Sequence, residues 1–158
     1  MQKPTHNLKK VKIMTNEQSN AIMPSKILYT MVRVSDLDQS IKFYRDALGM
    51  TELRRETFTE GQFTLVFMGY DDDASNPTVE LTYNWGDNSY DHGTGYGHIA
   101  LGVSDIYGAM KRLSSMGVKI VRDAGEMMFA VDETGEKEAI AFIEDPDGYR
   151  IELIEHAN

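Results

Sequence analysis

The sequence predicts an α+β fold in which one module, a strand, a helix and three further strands, occurs twice in 158 residues. Two segments that end in Val-Ser-Asp, at 34–36 and 103–105, each follow a strand-like stretch and precede a helix-period stretch that ends at a glycine. A second pair of matching segments, Val-Glu-Leu at 79–81 and Ile-Glu-Leu at 151–153, closes each half at an offset of 72 residues. Two halves with the same order of motifs indicate an internally duplicated fold.

The first half contains a helix between Asp36 and Gly49. Its apolar residues are spaced by four, three and four positions, as one face of a helix requires, and they are Leu37, Ile41, Tyr44 and Leu48. Ser35 or Asp36 is suited to cap its start and Gly49 to end it. Strands are predicted at 27–34, 50–56, 62–69 and 78–84.

The second half repeats this order. The predicted elements are strand 97–103, helix 105–116 and strands 118–122, 139–144 and 149–155, with the Asp-Pro-Asp-Gly stretch at 145–148 as a turn. Residues 124–138 fit either a short strand with a loop or a flexible lid. His92 lies in the glycine-rich connection 85–95, where a surface-loop residue is favoured over a substrate contact.

Domain boundaries follow from composition. Residues 1–26 are polar, lysine-rich and without periodicity, which predicts a disordered N-terminal extension; a weak targeting segment or an upstream start ahead of Met23 is the alternative. The remainder, 27–158, is predicted to be one domain made of modules 27–92 and 93–156. With 41% hydrophobic residues it can bury a core.

Charge and composition exclude several classes of protein. A formal net charge of −9 argues against a nucleic-acid partner, because phosphate neutralisation needs clustered Lys and Arg. Cysteine is absent, so neither disulfides nor thiolate metal ligands are available. No apolar run reaches the roughly 20 residues of a membrane helix, and none is typical of a secretory signal. We therefore expect a cytoplasmic protein.

Strand alternation places chemically active side chains on the faces that the helices do not cover. The repeat aligns Tyr29 with His98 and Glu80 with Glu152, and residues at alternate positions of a strand share a face. In the first strand, Thr30, Val32 and Val34 are expected on the buried side. The opposite faces are expected to line a shared concave space with Tyr29, Arg33, Glu80, Asn84, His98 and Glu152.

Two carboxylates and one imidazole in that space indicate a metal site. Glu80, His98 and Glu152 are suited to a divalent metal such as nickel, cobalt, zinc, manganese or iron, with positions left for water or substrate. The alternative is that each is a polar residue on a solvated sheet face. Burying the three together without a cation would cost several kcal/mol, so the metal site is favoured.

Six sequence blocks carry a resemblance to a known family. They are Thr-Met-Val-Arg-Val at 30–34, Ser-Ile-Lys-Phe-Tyr at 40–44, Leu-Gly-Met at 48–50, Val-Glu-Leu-Thr-Tyr-Asn-Trp-Gly at 79–86, Tyr-Gly-His-Ile-Ala-Leu at 96–101 and Glu-Asp-Pro-Asp-Gly-Tyr-Arg-Ile-Glu-Leu-Ile-Glu at 144–155. In this order and over residues 27–155, they resemble glyoxalase I, the lactoylglutathione lyase family of the vicinal-oxygen-chelate superfamily.

The resemblance implies a glyoxalase/dioxygenase-like fold, in which two paired βαβββ modules form a curved eight-stranded half-barrel. It implies a homodimer with sites between the subunits. It also implies isomerisation of the hemithioacetal of methylglyoxal and glutathione, or a related thiol, to S-D-lactoylglutathione. The compact core is similar to the members that prefer nickel or cobalt more than to the longer zinc type.

Site roles follow from the same resemblance. It implies that Glu80, His98 and Glu152 are metal ligands, that Arg33 and Asn84 contact the glutathione part and that His98 also faces the substrate. Glu152 is then the catalytic base that moves the proton between two carbons. Glu80 is expected to serve as base for the other epimer of the hemithioacetal.

Tyr29 departs from the family pattern, which has His or Gln as a fourth metal ligand at this position. A phenol is a weak ligand unless the metal stabilises its phenolate. Tyr29 therefore either binds the metal as phenolate, leaves its place to water, or prevents metal binding. In the last case the chain is a metal-impaired paralogue that binds a glutathione conjugate. An epimerase or a dioxygenase is a third reading, disfavoured by the Thr-Tyr-Asn-Trp-Gly block at 82–86.

Overall fold

The computed structural model describes residues 22–71, 75–87 and 89–156 and folds them into two modules of the same topology. Most of the predicted disordered extension, residues 1–21, lies outside the described part. The first module consists of β1 Tyr29–Arg33, α1 Leu37–Asp46, β2 Thr51–Phe58, β3 Phe63–Gly69 and β4 Thr78–Asn84. The second consists of β5 Ile99–Val103, α2 Ile106–Ser115, β6 Lys119–Glu126, β7 Ala139–Glu144 and β8 Arg150–Glu155.

Each module forms its own four-stranded mixed sheet. The strand orders are β1-β4-β3-β2 and β5-β8-β7-β6, so the first and fourth strands of each module are neighbours. Those two strands run parallel, and the other pairs run antiparallel. Neither sheet closes into a barrel. The predicted α+β class and the duplicated βαβββ order are confirmed.

Local sequence explains where the helices begin and end. Asp36 caps α1 by accepting a hydrogen bond from the Gln39 backbone N–H at 3.0 Å, which selects it over Ser35 as the cap. Asp105 caps α2 in the same way, with the Gly108 N–H as donor at 2.8 Å. Gly49 follows α1 with φ of +74°, a conformation that glycine adopts without strain, and so ends the helix as predicted.

One hydrophobic core lies between the helices and the covered faces of both sheets. The largest side chains that it buries fully are Tyr44, Met68, Leu81, Ile106, Leu113, Ile143 and Ile151. Both modules contribute side chains to this core. The open sheet faces are turned away from it.

The structure corrects some boundaries. β6 continues to Glu126, and residues 127–138 form a loop in which the Val131 N–H donates to the Glu136 carbonyl, so the strand-plus-loop alternative for 124–138 is the one observed. His98 directly precedes β5 and is not part of the strand, contrary to the predicted 97–103. Thr30 shares its strand face with Val32 but is exposed, not buried as expected, because β1 is an edge strand and its burial begins at Val32.

The turn between β7 and β8 joins the second module to the first. The Asp147 carboxylate accepts hydrogen bonds from the Ser35 backbone N–H at 3.1 Å and from its hydroxyl at 2.6 Å. The Tyr44 hydroxyl donates to Asp145 at 3.0 Å across the same boundary. The Asp-Pro-Asp-Gly stretch therefore acts both as the predicted turn and as a connection between modules.

The chain shows no sign of a membrane helix: among the residues that the structure describes, no helix is long and apolar enough to cross a bilayer.

Asp145 is 5% exposed and sits at this junction. Burial raises the pKa of its carboxyl from 3.8 to about 6, although hydrogen bonds from the Tyr149 N–H, the Tyr44 hydroxyl and the Asp147 N–H lower it in part. The folded protein therefore binds the proton more tightly than the unfolded chain does. Ionising Asp145 costs folding free energy as the pH rises from about 4 to about 6.

We expect an Asp145→Asn variant to gain stability relative to the wild type as the pH rises. Asn is isosteric and neutral, so it avoids the cost of ionisation, and its oxygen can still accept from the two backbone N–H groups. The difference in unfolding free energy should move in favour of the variant by about 1–3 kcal/mol between pH 4 and pH 7 and then level off. Urea unfolding across this range measures it.

Asp132→Asn, which removes an exposed carboxylate in the 127–138 loop, controls for the change in net charge. A difference between Asp145→Asn and the wild type that does not depend on pH would contradict the assigned cost.

Candidate metal and substrate site

The open faces of the two sheets carry the same cross-strand row. Backbone register places a glutamate of the fourth strand between a residue of the first strand and a phenylalanine of the third, with an arginine of the second strand beyond. The rows are Met31, Glu80, Phe67 and Arg54 in the first sheet and Ala100, Glu152, Phe142 and Arg122 in the second. The duplication seen in the sequence therefore extends to the arrangement of side chains on the open faces.

The rings of Tyr29 and His98 occupy matching places next to these rows. Tyr29 packs edge-on against Phe67 with 5.3 Å between ring centroids and 72° between planes. His98 packs edge-on against Phe142 with 5.3 Å and 80°. The alignment of Tyr29 with His98 thus holds in three dimensions.

His98 and Glu152 form the half of the site that lies on the second sheet. The Nε2 atom of His98 lies 3.0 Å from Oε2 of Glu152, and the two side chains are 40% and 13% exposed. An imidazole and a carboxylate at this distance on an open face can turn toward a common cation. They can also exchange a proton with a small molecule bound there.

Glu80 belongs to the half on the first sheet and is 6% exposed. Its Oε1 accepts a hydrogen bond from the Thr82 hydroxyl at 2.7 Å, and Phe67, itself 2% exposed, is its cross-strand neighbour. A carboxylate that is this buried and has a hydroxyl as its hydrogen-bond donor is costly without a cation. This observation fits a metal at the open face.

Tyr29 is the other member of that half and is 44% exposed. Its hydroxyl makes no hydrogen bond to any residue that the structure describes. The oxygen is thus free of described hydrogen-bond partners. As a metal ligand, however, a phenol is weaker than an imidazole or a carboxylate.

A single chain does not assemble all the predicted ligands. Among the described residues no three His, Asp or Glu side chains form a group able to hold a metal. Glu80 therefore does not join His98 and Glu152 within one chain, contrary to the expected shared space. The physical reason is that each sheet presents its own open face and the common core separates them.

The predicted substrate contacts lie with Glu80 on the first sheet. Arg33 is exposed at the end of β1, in register with Thr82. Asn84 ends β4, and its Nδ2 donates to the Tyr90 hydroxyl at 3.4 Å. Both side chains extend the open face beyond Glu80.

The sequence interpretation missed the phenylalanine and arginine members of the rows. The Arg54 guanidinium lies 3.9 Å above the centre of the Phe67 ring. Tyr29 contacts the same ring edge-on, and Glu80 is the cross-strand neighbour of Phe67. Phe63, Leu65 and Phe67 alternate along the sequence, but the sequence does not show the strand register that sets Phe67 next to Glu80. Comparing the third strands of the two halves would have matched Phe67 with Phe142.

His92 is held more firmly than the favoured surface-loop reading implies. Its ring stacks on Tyr149 with 4.0 Å between centroids and 16° between planes, and it is partly buried. It lies in the connection between the modules, as predicted, and forms one wall of a cavity next to His98.

The donor set fits a divalent cation. Imidazole and carboxylate are the ligands that nickel, cobalt and zinc take in proteins, and the chain has no cysteine to offer a softer site. Each half supplies a carboxylate beside a ring that carries a potential donor. Two halves brought face to face would provide up to four ligands.

Comparison with known proteins identifies the chain's relatives. The chain is 50% identical over 129 residues to a Synechocystis protein named probable lactoylglutathione lyase, covering 82% of this chain and 94% of the relative. It is 51% identical over 131 residues to lactoylglutathione lyase from Haemophilus influenzae, covering 83% and 93%.

Solved structures show the same fold. Glyoxalase I from Zea mays superposes with a TM-score of 0.76 at 41% identity over 84% of this chain, which spans about half of the maize chain, 45% of its length. A structure of the trypanothione-dependent glyoxalase I from Leishmania major gives a TM-score of 0.70 at 44% identity, covering 83% of this chain and 86% of that one.

Residues 26–153 match the family described as the glyoxalase/bleomycin resistance protein/dioxygenase superfamily. This match spans both modules and includes every residue of the two open-face rows. The chain belongs to the glyoxalase/bleomycin resistance protein/dioxygenase superfamily.

Proposed function

We propose that this chain is a metal-dependent lactoylglutathione lyase, an enzyme that isomerises the hemithioacetal of methylglyoxal and glutathione to S-D-lactoylglutathione. The observation that carries the proposal is the pair of matched half-sites, Tyr29 with Glu80 and His98 with Glu152, in a chain about half identical to bacterial lactoylglutathione lyases. These relatives favour glutathione over trypanothione as the thiol. The cytoplasmic location stays a prediction from the sequence.

Glu80, His98 and Glu152 would hold the metal, with Tyr29 at the fourth position. When bound, a divalent cation stabilises negative charge on the two adjacent oxygens of the substrate and so lowers the barrier to proton removal. We favour nickel or cobalt over zinc, because this chain covers nine-tenths or more of its compact bacterial relatives.

Glu152 is the proposed base. It takes the proton from the carbon that carries the sulfur and returns it to the neighbouring carbon, while the hydroxyl on the first carbon loses its proton and the oxygen on the second gains one. The first carbon is thereby oxidised to a thioester and the second reduced to an alcohol. No external oxidant is needed. The support for this role is its place in β8 on the open face, with its Oε2 atom 3.0 Å from Nε2 of His98.

The remaining catalytic and binding roles are proposed for Glu80 and the polar residues around it. Glu80 is the proposed base for the opposite epimer, while the Arg33 guanidinium and the Asn84 amide hold the glutathione part. A charge-assisted pair with Arg33 would offset the repulsion between an anionic substrate and a chain of net charge −9.

A site shared between two copies of the chain completes the proposal. One chain offers two half-sites without a group of three ligands, within the described ranges. Apolar side chains around the start of β1 are also exposed, and a second copy would cover them: Ile27, Leu28, Tyr29 and Met31. We therefore propose a homodimer in which Glu80 of one subunit faces His98 and Glu152 of the partner.

The alternative function, a metal-impaired paralogue that binds a glutathione conjugate, is favoured by the phenol at Tyr29.

We expect the purified protein to bind nickel or cobalt and to form S-lactoylglutathione, measured by metal analysis and by the absorbance of the thioester. A Tyr29→His variant should bind metal more tightly, by roughly tenfold or more, because imidazole is the better neutral ligand. Wild-type protein that is inactive with nickel, cobalt and zinc, beside an active Tyr29→His variant, would establish the alternative.

The base assignment predicts different effects for two chemically equal changes. Glu152→Gln should lower kcat by about 10²- to 10⁴-fold, the usual contribution of a positioned base. Glu60→Gln, the same change at an exposed turn between β2 and β3, should leave kcat unaltered. Steady-state kinetics at saturating metal test both, and a Glu152→Gln variant with kcat near the wild-type value would reject the assignment.

The shared site predicts complementation between two inactive variants. A heterodimer of Glu80→Gln and Glu152→Gln chains would hold one site with both substitutions and one site with neither. Co-refolded equal mixtures should recover about a quarter of wild-type activity, since about half of random dimers are mixed and each has one intact site. If both ligands of a site came from one chain, mixing would restore nothing.

A further inference from the structure

Within the described ranges, two arginines on the open faces have guanidinium groups with no hydrogen-bond or ion-pair partner, although the backbone N–H of Arg33 donates to the Tyr149 hydroxyl. The other positively charged residues with assigned contacts are engaged: Lys42 and Arg45 with Asp46, Arg54 with Glu56, Arg55 with Glu52, Lys119 with Glu144, and Arg112 and Arg122 with backbone carbonyls. The guanidinium groups of Arg33 and Arg150 form no hydrogen bond or ion pair with any residue in the described ranges. In so acidic a chain, an unpaired arginine beside candidate ligands indicates an anionic ligand.

Arg150 borders a cavity next to His98. It is the first residue of β8, two positions before Glu152, so both side chains lie on the open face. The cavity has a volume of about 480 Å³, and His92, Tyr96, His98, Phe142 and Arg150 lie along it. It is therefore continuous with the half-site formed by His98 and Glu152.

One side of this cavity is aromatic. His92 stacks on Tyr149 at 4.0 Å, and Tyr96 packs edge-on against Tyr149 at 5.3 Å, which gives a fixed aromatic side. The acid that borders the cavity, Glu144, is paired with Lys119 at 2.5 Å. Arg150 is the cross-strand neighbour of Glu144 but forms no ion pair with it, so its guanidinium can still bind an anionic ligand.

Arg150 also breaks the duplication of the fold. Thr78 holds the equivalent place at the start of β4 and is 5% exposed. The two halves differ in the same way at Arg33, whose counterpart in β5 is Gly102. Among the described residues, each open face therefore has one arginine whose guanidinium is unpaired, at a different position relative to its glutamate.

We propose that Arg150 binds a carboxylate of the glutathione part of the substrate and so helps to select this thiol. The inference rests on the proposed function and adds a contact to it. Glutathione has two carboxylates at opposite ends of an extended tripeptide. With Arg33 on one half-site and Arg150 on the other, each carboxylate has a guanidinium, which can bind it through two parallel hydrogen bonds.

Kinetics of an Arg150→Gln variant test the contact. We expect KM for the hemithioacetal to rise about five- to twentyfold with kcat within about twofold, because the bond exists in both the ground state and the transition state. The KM of Arg150→Lys should fall between those of the wild type and Arg150→Gln, since lysine keeps the charge but cannot form two parallel hydrogen bonds to a carboxylate. Lys111→Gln, on the exposed side of α2, makes the same change in net charge away from the site. A KM that rises equally in both Gln variants, or in neither, would overturn the proposal.

A binding experiment separates this proposal from the proposed function. Calorimetry with S-methylglutathione and with its diethyl ester reports binding without turnover. We expect Arg150→Gln to weaken binding of the free acid about five- to twentyfold and to leave binding of the diester unchanged relative to the wild type. Equal binding of the free acid by both proteins would overturn the role of Arg150 alone. A wild-type protein that binds no glutathione thioether would overturn the proposed function as well.

Discussion

The rest of the structure depends on one constraint. Each sheet has to bury a carboxylate on an inner strand, at the same place in the strand register. Glu80 and Glu152 each lie between a first-strand residue and a phenylalanine, on the face that the helices leave open. Burying a carboxylate at such a place is unfavourable unless a cation or a strong donor compensates for the lost hydration. Glu152 has His98, whereas Glu80 has the Thr82 hydroxyl.

This constraint explains why the two modules are alike where they bear chemistry and differ elsewhere. The ring contacts of Tyr29 and His98 with the phenylalanines are nearly identical in distance, so the scaffold around both glutamates has been kept. The arginines, by contrast, lie at unmatched places on the two faces. The duplicated scaffold thus places matched side chains on both open faces, and under the proposed function the unmatched arginines would bind the unsymmetric substrate.

Much of the fold was predictable because its signals are local. Helix spacing, the Asp36 cap and the glycine after α1 depend on neighbours in sequence, and the internal repeat gave the order of all eight strands. The alignment of Tyr29 with His98 was also visible, because the internal repeat matches the two positions even though the residue types differ. These features need no knowledge of which strands lie side by side.

The remainder depends on contacts between distant segments. The place of Phe67 beside Glu80 is set by the register of β3 on β4, and a bulge between Glu52 and Arg54 brings Arg54 onto the same row. The burial of Asp145 needs Tyr44 from the other module. Strand alternation gave the correct face for the glutamates, but it could not show that the common core keeps the two open faces of one chain apart.

A crystal structure of the full chain loaded with nickel or cobalt, phased on the metal's anomalous signal, is the most direct test of the central claim. We predict one metal per subunit, at roughly 2.0–2.2 Å from an Nε2 or Nδ1 atom of His98 and from carboxylate oxygens of Glu152 and Glu80, with Glu80 donated by the other copy. A metal bound without Glu80, or an undisturbed His98–Glu152 pair with the metal elsewhere, would contradict it.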